Sequence, residues 1–327
     1  REQGDPREAR RSLGRAQCND AYWHGVFGGL YLRHLRDTVW RNLALAEGDL
    51  RKGEGIAWER RDLDLDGHEE IWVHSAGFSA LVSPARGGAV EELTLFDEGV
   101  NLANTLTRRP EAYHDVAGGN GSGAEGEGDA PVEVMPSIHD LEDELRFSEL
   151  PPVDREDRAI FVERVLPSDL TLEAYGGGEY EALVSWAREP LQLQEVEELS
   201  GEGGPGSGLE IVLLGGPLGG CALEKRLRFR ADGTLEVFYE WEGGDFPADA
   251  LFTTEISLGA PARVVAAPQG EVWRFPISTF SKSERGFDET VQGESVTVRW
   301  PLSQGWGRVR LLSGEEPLST AVDGSEP

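Results

Sequence analysis

Lysine is nearly missing from this chain: Lys52, Lys225 and Lys282 are its only lysines, and the other basic residues are arginines. That bias fits either a coding preference or adaptation to a salt-rich cytoplasm, and the sequence leaves both open. Cysteine is equally scarce. Cys18 and Cys221 lie far apart, which gives neither a spaced metal motif nor a disulfide framework and favours a reducing compartment; the expected location is the cytoplasm. Long apolar runs are absent, since none approaches the ~18 residues of a membrane-spanning helix. No signal peptide opens the chain. The first residue is Arg1, and the charged stretch REQGDPREARR follows, which reads as the boundary of a fragment. Positive charge is outweighed, 31 basic residues against 60 acidic ones, for a net charge of −29. Such a field repels phosphate backbones and anionic lipid, so nucleic acid and membrane surfaces are not expected as partners. A neutral ligand such as a sugar meets no such penalty.

What is present suffices for a large core. The chain has 327 residues, 39% of them apolar, and nine tryptophans, enough for one large domain or two ordinary ones. Three zones differ in pattern. From Gly28 to Glu47, Leu32, Leu35, Val39 and Leu43 fall three or four apart, the period of an amphipathic helix. Arg33, Arg36 and Arg41 are expected on its other faces, and Gly48 is the expected stop. Residues 57–113 change period, with short runs at 70–74, 78–82 and 90–96 separated by Asp66-Gly67, Ser83-Pro84 and Arg86-Gly87-Gly88. This is strand-and-turn punctuation. Residues 159–312 continue it, with strands expected at 159–166, 180–186, 209–214, 223–229, 235–241 and 296–300. Asp232-Gly233 is a two-residue hairpin signal. Many strands without interleaved helices predict a large antiparallel β-sandwich. The glycine- and acid-rich stretches at 116–131 and 200–208 are expected to be flexible insertions, and 313–327 a disordered tail. GEGGPGSG is not a phosphate loop, because no Gly-Lys-Ser/Thr follows it.

The chemistry is densest at 16–32, AQCNDAYWHGVFGGLYL. Asn19, Asp20, Tyr22, Trp23 and His24 stand within six residues of one another, ahead of a glycine-rich entry to the helix. Sugar sites use this mixture: aromatic faces stack on pyranose rings, while carboxylate, amide and imidazole groups hydrogen-bond the hydroxyls. The plainer reading is a buried helix-entry turn with aromatic packing.

The segment QCNDAYWHGVFGGLYLRHLRDTVWRNLALAE closely resembles the last conserved segment of the 4-α-glucanotransferases and α-amylases of glycoside hydrolase family 57. DLDLDGHEE at 62–70, GGAVEEL at 87–93, NLANTLTRRPEAYH at 101–114 and SIHD at 137–140 resemble the start of that family's C-terminal domain; residues 278–300 resemble its end. The resemblance implies a galactose-mutarotase-like supersandwich over 51–327, preceded at 1–50 by the end of the helical, catalytic region. It implies that Asp20 and Trp23 line the sugar cleft, with Asn19 and His24 beside them as substrate-binding residues. It also implies an α-1,4-glucan or maltooligosaccharide as ligand and an N-terminal (β/α) barrel as partner. The family's nucleophilic glutamate, acid/base aspartate and HQP motif have no counterpart here. Retaining glycoside hydrolysis needs two carboxyls ~5 Å apart, so no catalytic residue is expected in this chain and alone it should be inactive. The expected function is the C-terminal portion of a retaining glucan-acting enzyme, with a non-catalytic carbohydrate-binding sandwich as the alternative.

Other polar residues call for plainer readings. Asp62, Asp64 and Asp66, followed by Gly67, imitate the start of a calcium loop. An EF-hand needs an acid at loop position twelve, which is Val73 here; Glu69 and Glu70 could supply a shorter loop. A solvated hairpin turn with an Asp-Gly tip is the simpler expectation, so no cofactor is expected and calcium is the open alternative. His114, His139 and Asp140 read as loop anchors within the sandwich, with a polar cluster facing the barrel as the alternative, and His34, His68 and His74 show no ligand spacing.

Overall fold

The structure is a computed structural model that describes residues 6–23, 29–111, 113–114, 151–201, 204–283 and 286–314. Two helices come first, α1 (Arg7–Ala16) and α2 (Arg33–Leu50), joined through 3₁₀ turns at Asn19–Ala21 and Gly29–Tyr31. Their contact is a small core of its own, where Ala16, Ala21 and Val39 pack with Leu35 and Leu43. The apolar period of α2 therefore does what it predicts. Two details differ. α2 runs through Gly48 to Leu50, because a side chain at Gly48 would sit 3.0 Å from Phe96. That glycine permits close packing and does not stop the helix. Arg36, expected on an outer face, is buried: it lies four residues from Leu32 and three from Val39, on the inward side of the helix.

The strands follow in chain order: β1 (Ala57–Arg61), β2 (Glu70–His74), β3 (Phe78–Ser83), β4 (Ala89–Leu95), β5 (Val100–Asn101) and β6 (Ile160–Leu166). A short helix, α3 (Leu172–Gly177), precedes β7 (Val184–Ser185), β8 (Gln192–Gly201), β9 (Gly204–Leu218), β10 (Cys221–Arg230) and β11 (Leu235–Gly243). The last are β12 (Leu251–Leu258), β13 (Ala262–Ala267), β14 (Glu271–Ser283), β15 (Gly286–Pro301) and β16 (Trp306–Ser313). One sheet has the order β1-β2-β3-β4-β6-β12-β15-β14, with β5 beside β4 and β7 beside β6. The other has the order β13-β16-β11-β10-β9-β8. Every pairing is antiparallel. This is the large antiparallel β-sandwich that the strand pattern predicts, and a single apolar core joins the inner faces.

The two sheets read differently because their outer faces differ. β10 and β16 alternate buried and open positions along their length, as strands with one wet face do. β6 is buried at every position and β12 at all but its first, because α3 and the residues ahead of β6 cover the first sheet from outside. α3 starts on Thr171, whose hydroxyl caps the Ala174 N–H at 3.2 Å.

Several turns refine the sequence reading. Asp232-Gly233 does join two strands, but through a three-residue loop closed by Arg230 N–H on Thr234 O at 2.9 Å, with Gly233 at φ 82°. The stretch 200–208 was expected to be a flexible insertion. In its described part, residues 200–201 and 204–208 end the β8–β9 hairpin, with Gly201 opposite Gly204 and Leu199 opposite Gly208. Only Val184 and Ser185 of the expected strand 180–186 pair as a strand. The insertion at 116–131 and the tail from 315 lie outside the described residues, as do His24, His139 and Asp140.

Candidate functional site

The dense segment folds as a turn held from below and open above. Ala21 is its buried anchor, and the Tyr22 hydroxyl donates to Ala16 O at 2.7 Å. Asn19 and Asp20 are exposed. Tyr22 is 60% exposed and Trp23 55%, so both aromatic rings meet solvent in this chain. Beyond Trp23 the chain closes on itself, with Leu30 N–H on Trp23 O at 2.9 Å. Gly29 makes the closure possible: its φ is +46° and a Cβ there would lie 2.1 Å from Trp23 O. An exposed indole beside an exposed carboxylate and amide on a fixed backbone can stack on a sugar and bind its hydroxyls.

The backbone is fixed by a polar node that the sequence reading did not single out. Arg36 donates from Nη1 to Leu30 O at 2.6 Å, from Nε to Asn104 Oδ1 at 3.2 Å and from Nη2 to Gln292 Oε1 at 2.7 Å. Gln292, fully buried, donates in turn to Tyr31 O at 3.0 Å and to Thr279 Oγ1 at 2.7 Å. Asn104 donates to Asp37 Oδ1 at 2.8 Å. The 29–31 turn is thus held from α2, from the segment after β5 and from β15. Burial lowers the Arg36 guanidinium to about 10, which leaves it charged at neutral pH. The Tyr31 hydroxyl donates to Glu111, and burial, followed by that bond, pushes its ionisation far up. Arg33 donates to Gly259 O and adds another tie. One signal for Arg36 was in the sequence: its place in the apolar stripe of α2.

The remaining candidates fall into place around this. His114 anchors a loop, accepting Glu111 N–H on Nδ1 at 3.1 Å and contacting Phe280 O from Nε2 at 3.1 Å; the proton therefore sits on Nε2. Asp62, Asp64 and Glu70 each bring one carboxylate oxygen within 4.8 Å of the others. Asp66 does not join them and instead accepts His68 N–H at 2.7 Å, while Glu69 pairs with Arg60 at 2.9 Å. Besides Glu70, two further buried carboxylates lie in the first sheet. Glu163 is bound to Lys225 at 2.8 Å, with both side chains fully buried. Glu255 binds Arg158 at 3.0 Å and Arg164 at 2.9 Å. Burial alone would raise the Glu255 carboxyl, but the two guanidiniums outweigh it and hold it at about 2. Neither carboxylate is free to attack a sugar or to give it a proton.

The profile of the family described as α-amylase/4-α-glucanotransferase, C-terminal, matches residues 62–270 and 262–311, and that of its middle domain matches residues 2–50. The 4-α-glucanotransferase of Thermococcus litoralis is 33% identical over 92% of this chain and 47% of its own length. The 4-α-glucanotransferase of Thermococcus kodakarensis is 35% identical over 93% of this chain and 47% of its own. An α-amylase of Pyrococcus abyssi is 30% identical over 91% of this chain and 47% of its own. The crystal structure of the T. litoralis enzyme is similar at a TM-score of 0.71 and 30% identity, covering 94% of this chain and 46% of that one. The chain spans about half the length of the curated relatives it matches.

Proposed function

This chain belongs to the α-amylase/4-α-glucanotransferase family, glycoside hydrolase family 57, and from that premise we propose that it forms the C-terminal portion of an enzyme that cleaves α-1,4-glucan and passes the glucosyl unit to a sugar or to water. Asp20 and Trp23, with Asn19 beside them, line the sugar cleft, and His24 follows in the same segment. The bond-breaking carboxylates come from a (β/α) barrel outside this chain. Residues 1–50 close the helical region of that catalytic part. The sandwich from 51 onward walls the cleft and holds its turn in place.

The observation that carries this reading is the open aromatic pair Tyr22 and Trp23, 60% and 55% exposed, on a turn whose backbone is tied down on both sides. Water-facing indoles on rigid backbone lose little entropy on binding, which is how aromatic anchors gain affinity. The chemistry at Asp20 is complementary, since a carboxylate accepts from sugar hydroxyls.

The test is Trp23→Ala in the enzyme that contains this chain. Loss of an aromatic anchor costs about 2 kcal/mol, which is roughly thirtyfold in kcat/KM on maltooligosaccharides. Unchanged kinetics would remove Trp23 from the cleft. The chain alone should release no glucose from maltotriose; turnover by the pure chain would mean that the carboxylates have been misplaced.

A further inference from the structure

Helix α2 forms a groove of about 430 Å³ with the turn from β4 to β5 and with residues 259–261 after β12. That volume is in the range of small-molecule sites. Its walls mix chemistries. Pro261 is apolar, Trp40 is aromatic, and Arg33, Asp37, Arg41 and Glu98 bring two charges of each sign. Trp40 is half-buried, so its ring is set into the wall, while Arg41 and Glu98 are exposed beside it. The Trp40 indole N–H, the Arg41 guanidinium and the Glu98 carboxylate have no hydrogen-bond or ion-pair partner among the described residues. The walls are fixed by the same node that fixes the 29–31 turn. Asp37 accepts from Asn104, Asn104 accepts from Arg36, and Arg36 donates to Leu30 O. Arg33, two residues beyond Tyr31, ties the near end to Gly259 O. Trp40 stands seven residues further on, ~10 Å along the helix axis. The groove therefore begins beside the turn to which the Trp23 backbone is tied and runs along α2.

We propose that this groove is a further sugar subsite, in which Trp40 stacks on a glucose ring of an α-1,4-glucan that also passes the Trp23 turn, while Arg41 and Glu98 hydrogen-bond its hydroxyls. This rests on the glucan reading of that turn. The charges of the groove balance, which suits a neutral ligand. A phosphate-bearing ligand would meet the field of a chain with net charge −29. A docked apolar helix or strand would bury four charged side chains at a high desolvation cost. A pyranose needs the reverse: one flat face for its C–H side, with donors and acceptors around its edge. Arg41 supplies donors, Glu98 supplies acceptors, and the Trp40 ring supplies the face. Stacking on a ring already held in a wall costs little further ordering.

The test compares maltotriose with maltoheptaose in the enzyme that contains this chain. A subsite away from the reacting bond is reached only by the longer substrate. Trp40→Ala should therefore lower kcat/KM about tenfold more on maltoheptaose than on maltotriose, chiefly through KM, as loss of uniform binding does. Trp40→Phe keeps a stacking face and should recover most of that difference. Glu98→Gln, at an exposed position, should show a smaller loss with the same dependence on length. Trp23→Ala should lower both substrates, so the two readings fail separately. An effect at Trp23 with no length dependence at Trp40 overturns the groove alone. A length-dependent loss at Trp40 with none at Trp23 supports the groove and removes the turn from the cleft. Equal losses on both substrates in Trp40→Ala also overturn the proposal; with a lowered melting temperature they mean that the barrel or a second copy of the chain seats there instead. If Trp40→Ala fails to fold, Glu98→Gln and Arg41→Ala decide by the same comparison.

Discussion

Arg36 carries its charge into the interior without a carboxylate against it. Its guanidinium is instead divided among Leu30 O, Asn104 Oδ1 and Gln292 Oε1, three acceptors in three directions. Arg36→Met should leave all three without a donor. Each orphaned acceptor costs about 1–3 kcal/mol, so a loss of at least ~3 kcal/mol is expected, seen as a lower urea midpoint at an unchanged slope. Arg36→Lys should recover only part of it, because an ammonium cannot reproduce a planar fork. Residues of this kind are hard to read from sequence. An arginine in a helix is ordinarily solvated, and its partners here lie 68 and 256 positions away. The proposed sugar-binding residues are legible for the opposite reason: Asn19, Asp20 and Trp23 stand together along the chain.

Elements with one wet face were the easiest to read. β10 announces itself through alternation, Leu223, Leu227 and Phe229 inward and Arg226 and Arg228 outward. β6 does not, since Glu163 and Arg164 interrupt an apolar run and both are buried. The explanation lies outside the strand. Arg164 meets Glu156 at 2.6 Å, Glu255 at 2.9 Å and the Tyr175 hydroxyl at 3.1 Å, so the segment before β6 and helix α3 cover that face with polar partners. α3 itself is too short to show a period and α1 buries only Ala9 and Ala16, which is why neither was anticipated. The charge lock holds these covering elements on the sheet and makes their attachment sensitive to acid. Glu255 is held at about 2 against an ordinary 4.5. A carboxyl depressed in the folded state stabilises above its unfolded value and loses that contribution as pH falls toward its folded value. Roughly 3 kcal/mol should therefore disappear between about pH 4.5 and pH 2. Urea unfolding followed across that range should show the decline, and Glu255→Gln should flatten it.

At the scale of the whole molecule, one ion pair crosses from sheet to sheet. Lys225 on β10 donates to Gly87 O at 3.1 Å, to Phe161 O at 2.8 Å and to Glu163 at 2.8 Å. Thr254 also donates to Glu163, at 3.0 Å. Removing one partner strands the other charge in the core, so Lys225→Met should cost about 3–5 kcal/mol. Replacing both, Lys225→Met with Glu163→Leu, should return most of that, since apolar groups of similar volume often substitute for a buried pair at little cost. Chemical denaturation of the single and double variants gives the coupling directly. A recovery that fails would mean that the pair fixes the alignment of the sheets beyond its own energy. The node at Arg36 has a consequence of another kind, for the order of assembly. Its farthest partner, Gln292, stands 256 positions later, in the second-last strand. Contacts that bridge such an interval form late, because the intervening loop must close first. During synthesis, the turn carrying Trp23 leaves the ribosome well before β15, yet it waits for Gln292 on β15 before its backbone is fully held. The open turn at Tyr22 and Trp23 is therefore among the last features of this chain to mature, and a nascent chain is kept from presenting it until nearly all of the sandwich exists.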